Sequence, residues 1–299
     1  QIKHRLEYAG RAAIACDHLI QKAHRMNTPI YLRTTMDKLL TAAVSKVPQR
    51  SMKAWLNMVH PGDCVELMGK MPAGSIGLIV TSPPYNLRNS TGNGMKDGRG
   101  GKWANAKLIE GYESHDDRMP HGEYVAWQRG CLTAMMRVLR EDGAIFYNHK
   151  WRVQGGFLQD RFDIVEGFPV RQVIIWKRDG GINFNPGYFL PTYEIIYLIC
   201  KPDFRLAPKA NAQGDVWHIP QERDNPHPAP FPVELAQRCI QSTTAEIVLD
   251  PFIGSGTTAI AAEVCGRSWI GTDISKEYCK VARERIEAAR RLIKRTSLT

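Results

Sequence analysis

Residues 246–275, EIVLDPFIGSGTTAIAAEVCGRSWIGTDIS, constrain the fold more than any other stretch of the chain. They read as a β-branched strand, a glycine-rich turn, a helix of small residues, a second strand and an acidic residue at that strand's tip. In a doubly wound α/β unit such a turn lets backbone and a helix N-terminus approach a ligand, and the later carboxylate accepts ribose hydroxyls. Gly254 and Gly256 stand in the turn, and Asp273 follows Gly256 by 17 residues. A phosphate-binding P-loop is excluded, because Thr257 rather than Lys follows Gly256. A dinucleotide fingerprint tolerates Ala259 as its third small residue, but Asp250 at the strand tip would repel a pyrophosphate. The same carboxylate suits a cationic ligand, such as a sulfonium that also bears an ammonium group.

The rest of the chain supplies a sheet around this unit. Apolar runs at 63–67, 76–81, 143–148, 170–177, 193–200, 246–249 and 268–272 read as strands, and 123–140, 232–242, 257–265 and 276–294 as helices. Their alternation predicts an α/β fold with a mostly parallel seven-stranded sheet. No helical pattern separates 170–177 from 193–200, so these form an antiparallel hairpin at one edge. Residues 1–55 stand apart as two helices around Asn27-Thr28-Pro29, with ten Lys/Arg against three Asp/Glu, net +7. The whole chain carries 40 Lys/Arg against 30 Asp/Glu, net +10, which favours a polyanionic partner. Seven cysteines without a C-x-x-C pair exclude a disulfide framework and a zinc site, so no metal is expected. No apolar run is long enough to span a bilayer, and the compartment reads as cytoplasmic.

A second motif ends the strongest strand. SIGLIV runs into TSPPYN, residues 81–86, where two prolines stop the strand and stiffen a turn. The following segment, 87–121, is rich in Gly, Asn, Asp and Lys, and a connection of that length is usually functional. TSPPYN together with DPFIGSGTT resembles the S-adenosylmethionine (SAM)-dependent DNA amino-methyltransferases, which modify N4 of cytosine or N6 of adenine. The resemblance spans about residues 57–290, and GDCVELMGKMPAG, VIIWKRDGG, PTYEIIYLICK, HPAPFPVELAQRCI and GRSWIGTDISKEYCKVARERI support it. The catalytic motif precedes the SAM motif, the order of the family's beta group.

The resemblance implies a Rossmann-like methyltransferase domain over 56–299, with its catalytic half at 56–200 and its SAM-binding half at 226–295. The amine lone pair of a base is delocalised into the ring, so an enzyme helps by accepting both N–H bonds. Ser82 Oγ and the Pro83 carbonyl are the acceptors, Pro84 stiffens the turn, and Tyr85 stacks on a flipped base. SAM contacts fall to Asp63, Cys64, Phe231, Pro232, Asp250, Phe252, Gly254, Gly256, Thr257 and Asp273. Phosphates of double-stranded DNA fall to Arg88, Lys96, Arg99, Lys102, Lys150, Lys177 and Arg178. Relatives with this motif order carry a recognition segment between YEIIYLIC and HPAPFP, whereas here only about 25 residues intervene. Recognition then falls to the 87–121 loop, the basic N-terminal helices or a second chain in a homodimer. Ser at 82 is the usual N4-cytosine form of the motif, Asp or Asn the usual adenine form. Alternatives are a SAM enzyme acting on RNA or protein and an inactive DNA-binding relative. The order of motifs argues against the glutamine methyltransferases, whose glycine loop comes first.

Overall fold

A computed structural model describes residues 51–86, 119–154, 157–179, 186–222 and 231–296. The chain divides into a unit of Gln1–Pro48 and one of Gln49–Thr299, and the described residues belong to the second. The two expected N-terminal helices and nearly all of the 87–121 loop lie outside them.

Ten strands and six α-helices are seen among the described residues. In chain order they are β1 (Met58–Pro61), α1 (Cys64–Gly69), β2 (Ile76–Thr81), α2 (His121–Val138), β3 (Leu139–His149), β4 (Arg152–Gln154), β5 (Phe157–Gln159), α3 (Phe162–Val165), β6 (Val170–Lys177), β7 (Tyr193–Cys200), β8 (Val216–His218), α4 (Val233–Gln241), β9 (Ile247–Asp250), α5 (Thr257–Val264), β10 (Ser268–Asp273) and α6 (Lys276–Thr296). Eight strands form one sheet in the order β1-β10-β9-β2-β3-β7-β6-β8, and β4 and β5 form a separate hairpin. The run from β1 to β3 is parallel. β7 is antiparallel to both β3 and β6.

Alternation along the strands sends side chains to two apolar layers. Leu78, Val80, Phe146 and Val248 pack with α4, α5 and α6 on one face. Ile79, Ile145, Tyr147 and Leu249 pack with α1, α2 and α3 on the other. Both faces of the parallel run are therefore covered, which is why its strands read as continuous apolar runs.

Three expectations change. Residues 63–67 are the helix α1, not a strand. Gly62 turns the chain at φ +144°, and Asp63 Oδ1 accepts the N–H groups of Val65 and Glu66, both at 2.9 Å. Cys64 and Met68 are then buried while Val65 and Glu66 are exposed, a helical and not an alternating pattern. Second, the seven expected strands become eight, because β1 replaces 63–67 and the short β8 joins the sheet. Third, the β6–β7 hairpin is not at the edge: β8 pairs parallel with β6 and takes that place.

Candidate active site

In an open α/β sheet a ligand crevice opens at the C-terminal ends of the strands where the order reverses. That reversal falls between β9 and β2, which pair in register at Leu78/Val248 and Ile79/Leu249. Their tips are the two motifs, Asp250-Pro-Phe-Ile-Gly-Ser-Gly and Thr81-Ser-Pro-Pro-Tyr, about 170 residues apart in sequence. Asp250 joins them. Its Oδ1 accepts the Thr81 hydroxyl at 2.7 Å and the Phe252 N–H at 3.0 Å, and its Oδ2 accepts the Thr258 hydroxyl at 2.6 Å. Burial pushes its pKa up to about 6, against the opposing pull of those hydrogen bonds. The expectation that this carboxylate faces a cationic ligand is corrected here: it is 1% exposed and its oxygens are engaged in clamping the two tips together.

The glycine turn has two tight requirements. Gly256 caps α5 at φ +89°, and a Cβ there would stand 3.3 Å from the backbone of Ala282 on α6. Gly254, at φ +49°, donates its N–H to Asp273 Oδ2 at 3.0 Å. The Ser275 N–H donates to Asp273 Oδ1 at 2.9 Å. Burial raises the Asp273 carboxyl above its ordinary value, and those two N–H groups act against the rise. A carboxylate held at both oxygens still has lone pairs to accept further donors. Phe252 is half-buried beside Trp127, ring centroids 5.8 Å apart, and Thr257 is buried in the first turn of α5.

Other expected cofactor contacts are placed differently. Cys64 lies in the apolar layer with its Sγ 3.8 Å from Cys131 Sγ, a packing position and not a ligand surface. Phe231 belongs to the opposite apolar layer, and Pro232 starts α4. Asp63 commits Oδ1 to the α1 cap.

Around the Pro-Pro turn the structure assembles a polar network. The Pro84 carbonyl accepts from the Tyr124 hydroxyl at 2.8 Å and from Gln128 Nε2 at 3.2 Å. Gln128 Oε1 in turn accepts from Tyr147. Tyr124 also lies 2.7 Å from His149 Nε2, and the His149 ring packs on Tyr85 with centroids 4.9 Å apart. Burial beside Arg161 drives the His149 pKa down to about 3, so the ring is neutral. Asn86 follows at φ +56°, and its Nδ2 donates to Met119 O at 2.8 Å. The Pro83 carbonyl carries no hydrogen bond among the described residues.

Ser82 Oγ lies 2.6 Å from Tyr85 Oη, and Tyr85 donates to Glu194 Oε2 at 3.0 Å. Asn148 Nδ2 donates to Tyr85 Oη at 2.8 Å and to Glu194 Oε2 at 2.9 Å, with Ser82 Oγ at 3.3 Å. Glu194 Oε1 pairs with Arg178 Nη1 at 3.3 Å. Arg178, expected on DNA phosphate, is instead the counter-ion of Glu194 inside this network. Lys150 is half-buried, and burial lowers the pKa of its ammonium against the pull of Glu194. Lys177 is exposed. Arg88, Lys96, Arg99 and Lys102 lie outside the described residues. Tyr85 is 6% exposed, so its ring offers little open face for the stacking expected of it.

Glu194, Asn148, His149, Tyr124 and Gln128 were not read as site residues from sequence. A faint signal existed for two of them: Asn148 and Glu194 are polar residues inside otherwise apolar strands, and a buried polar group needs a partner.

Comparison with known proteins agrees with this geometry. A family profile described as DNA methylase matches residues 76–284, a span that includes both tips. The chain is 29% identical over 283 residues to the type II methyltransferase M.BglII of Bacillus subtilis, covering 79% of this chain and 70% of that one. It is 29% identical over 257 residues to the type II methyltransferase M2.DpnII of Streptococcus pneumoniae, covering 77% of this chain and 89% of that one. The structure of a DNA modification methylase from Thermus thermophilus, complexed with S-adenosyl-L-methionine, superposes with a TM-score of 0.56 at 25% identity, over 78% of this chain and 93% of that one. With the paired tips and the matched span together, the chain belongs to the N6/N4 DNA methylase family.

Proposed function

We propose that this chain methylates the exocyclic amino group of a base flipped out of double-stranded DNA, with SAM as donor and N4 of cytosine as the favoured position, in a restriction-modification or phage modification setting. The observation that carries the reading is the juxtaposition of the β9 and β2 tips, clamped by Asp250 between Thr81 and Thr258. The residues present fit SAM. Gly254 and Gly256 hold the two left-handed positions of the turn, Gly256 packed against Ala282 of α6, and the Asp273 carboxylate is fixed by two backbone N–H groups. Phe252, Gly254, Gly256 and Asp273 would hold it, with Thr257 supporting the turn from within. Asp63 keeps one oxygen beyond its cap for the adenine end. When bound, SAM supplies an electrophilic methyl group on a sulfonium.

The chain's own residues prepare the amine. Ser82 Oγ and the Pro83 carbonyl accept its two N–H bonds, which directs the lone pair away from the ring. The proline turn cannot relax, and the next carbonyl is pinned by Tyr124 and Gln128, so the acceptors are preorganised. Ser82 favours N4 of cytosine through the family's usual pairing of motif and base. Recognition outside the site falls to the 87–121 loop, to residues 1–55 or to a second copy of the chain.

The test is incubation with labelled SAM and mixed-sequence DNA, followed by nucleoside digestion and mass spectrometry. N4-methylcytosine is expected. N6-methyladenine would reverse the base assignment, and no methylated nucleoside would overturn the activity. Tyr85→Ala is expected to lower transfer by about 10- to 100-fold with SAM affinity retained; transfer at the wild-type rate would remove Tyr85 from the site.

A further inference from the structure

Ser82 is neutral, yet the amine it serves becomes cationic on methylation and must then lose a proton. We infer that Glu194 supplies the missing charge at two hydroxyls' remove, acting through Tyr85 and Ser82 as the terminal proton acceptor of the site. The inference rests on the methyltransferase reading above and deepens it.

Counting protons along the network gives its direction. Glu194, as the carboxylate partner of Arg178, accepts hydrogen bonds and donates none. Asn148 Nδ2 has three acceptors within reach, Tyr85 Oη at 2.8 Å, Glu194 Oε2 at 2.9 Å and Ser82 Oγ at 3.3 Å; its two hydrogens serve the two shorter contacts, so Tyr85 receives one donor from that side. The single proton of Tyr85 goes to Glu194 Oε2 at 3.0 Å, since otherwise two oxygens would face each other without a proton. The Ser82–Tyr85 contact of 2.6 Å then requires Ser82 to donate. Ser82 therefore turns its proton inward and presents lone pairs to the substrate. Each hydroxyl in such a chain is polarised by the next, so the charge on Glu194 makes Ser82 a stronger acceptor than an isolated serine. Direct contact between Glu194 and the base is not required.

The step balances. As the amino nitrogen forms its bond to the methyl carbon, the S–C bond breaks and its electron pair stays on sulfur, which leaves the nitrogen cationic. One N–H bond then breaks toward Ser82 Oγ, the Ser82 proton moves to Tyr85 Oη, and the Tyr85 proton moves to Glu194 Oε2. The methylated base leaves neutral. Glu194 returns its proton by the same chain to water that enters once the base withdraws.

The test compares Glu194→Gln, Tyr85→Phe and the double variant by single-turnover transfer across pH, with SAM affinity by calorimetry and fold by thermal unfolding. Tyr85→Phe breaks the chain while leaving the Arg178–Glu194 pair intact, so it answers should Glu194→Gln fail to fold. Each single variant is expected to lose about 100-fold in rate, with SAM affinity unchanged within about twofold. The double variant should be no slower than the slower single, because both break one relay. Both variants should also gain rate with rising pH where the wild type is flat. Wild-type rates in either single variant, losses that multiply in the double, or a parallel loss of SAM affinity would overturn the relay. A wild-type protein that methylates no DNA would instead overturn the activity itself.

Discussion

Asp250 shows how one side chain can do a different job from the one its position promises. A carboxylate at the tip of a strand before a glycine turn reads as a ligand group, yet here it bonds Thr81, Thr258 and the Phe252 N–H and lies out of solvent. Those three bonds offset the cost of burying it. Gly256 is as restricted. Its φ of +89° and the approach of Ala282 exclude a Cβ, so Gly256→Ala is expected to cost about 1–3 kcal/mol and to weaken SAM binding. Urea unfolding and calorimetry on one preparation test both halves of that statement. At Asp63 the bonds to Val65 and Glu66 predict that Asp63→Ala destabilises by about 1 kcal/mol, while Asp63→Asn stays within a few tenths because the amide oxygen still caps.

At the level of elements, two buried groups give the end of β3 and the tip of β9 opposite pH responses. His149 closes β3 with a pKa of about 3, well below its ordinary 6.5. Below about pH 6.5 the unfolded chain takes up a proton that the folded chain refuses, so this group's contribution to stability falls as pH drops toward 3. Asp250, with a folded pKa of about 6 against an ordinary 3.8, acts the other way: stability falls as pH rises from about 4 to 6 and is level above. In the wild type the two slopes largely cancel between about pH 4 and 6. His149→Gln should remove the first and expose a decline in the urea midpoint with rising pH across that window, while Asp250→Asn should steepen the acid loss. Two parallel pH curves would show that neither group titrates as its burial requires. The same elements explain the misread at 63–67. Asp63 and Glu66 stand three apart ahead of Leu67 and Met68, the spacing of a capping box, and that signal outweighs the strand-like DCVEL composition.

For the molecule as a whole, charge is the property that sequence states and fold distributes. A net charge of +10 predicts a DNA affinity that falls steeply with salt, by a log–log slope of about −0.9 for each phosphate neutralised. Lys177→Ala should flatten that slope by about one unit, whereas Arg178→Ala should change the transfer rate and not the slope, because Arg178 faces Glu194; equal slopes for wild type and Lys177→Ala would remove Lys177 from the interface. The sequence by itself determined the α/β alternation, the antiparallel β6–β7 pair, the glycine turn and the proline turn. Each of these is written in neighbouring residues, as apolar period, missing N–H or left-handed backbone. Tertiary structure alone decided that Asp250 clamps rather than binds, that Cys64 and Phe231 pack in apolar layers, and that Arg178 turns inward. It also decided that Asn148 and Glu194 meet Ser82 and Tyr85, although 46 residues separate them from each other and 109 separate Tyr85 from Glu194. The physical reason is that hydrogen bonding and burial depend on which strands lie side by side, and the crossover that sets β3 between β2 and β7 is a global choice of the sheet, invisible to any local window.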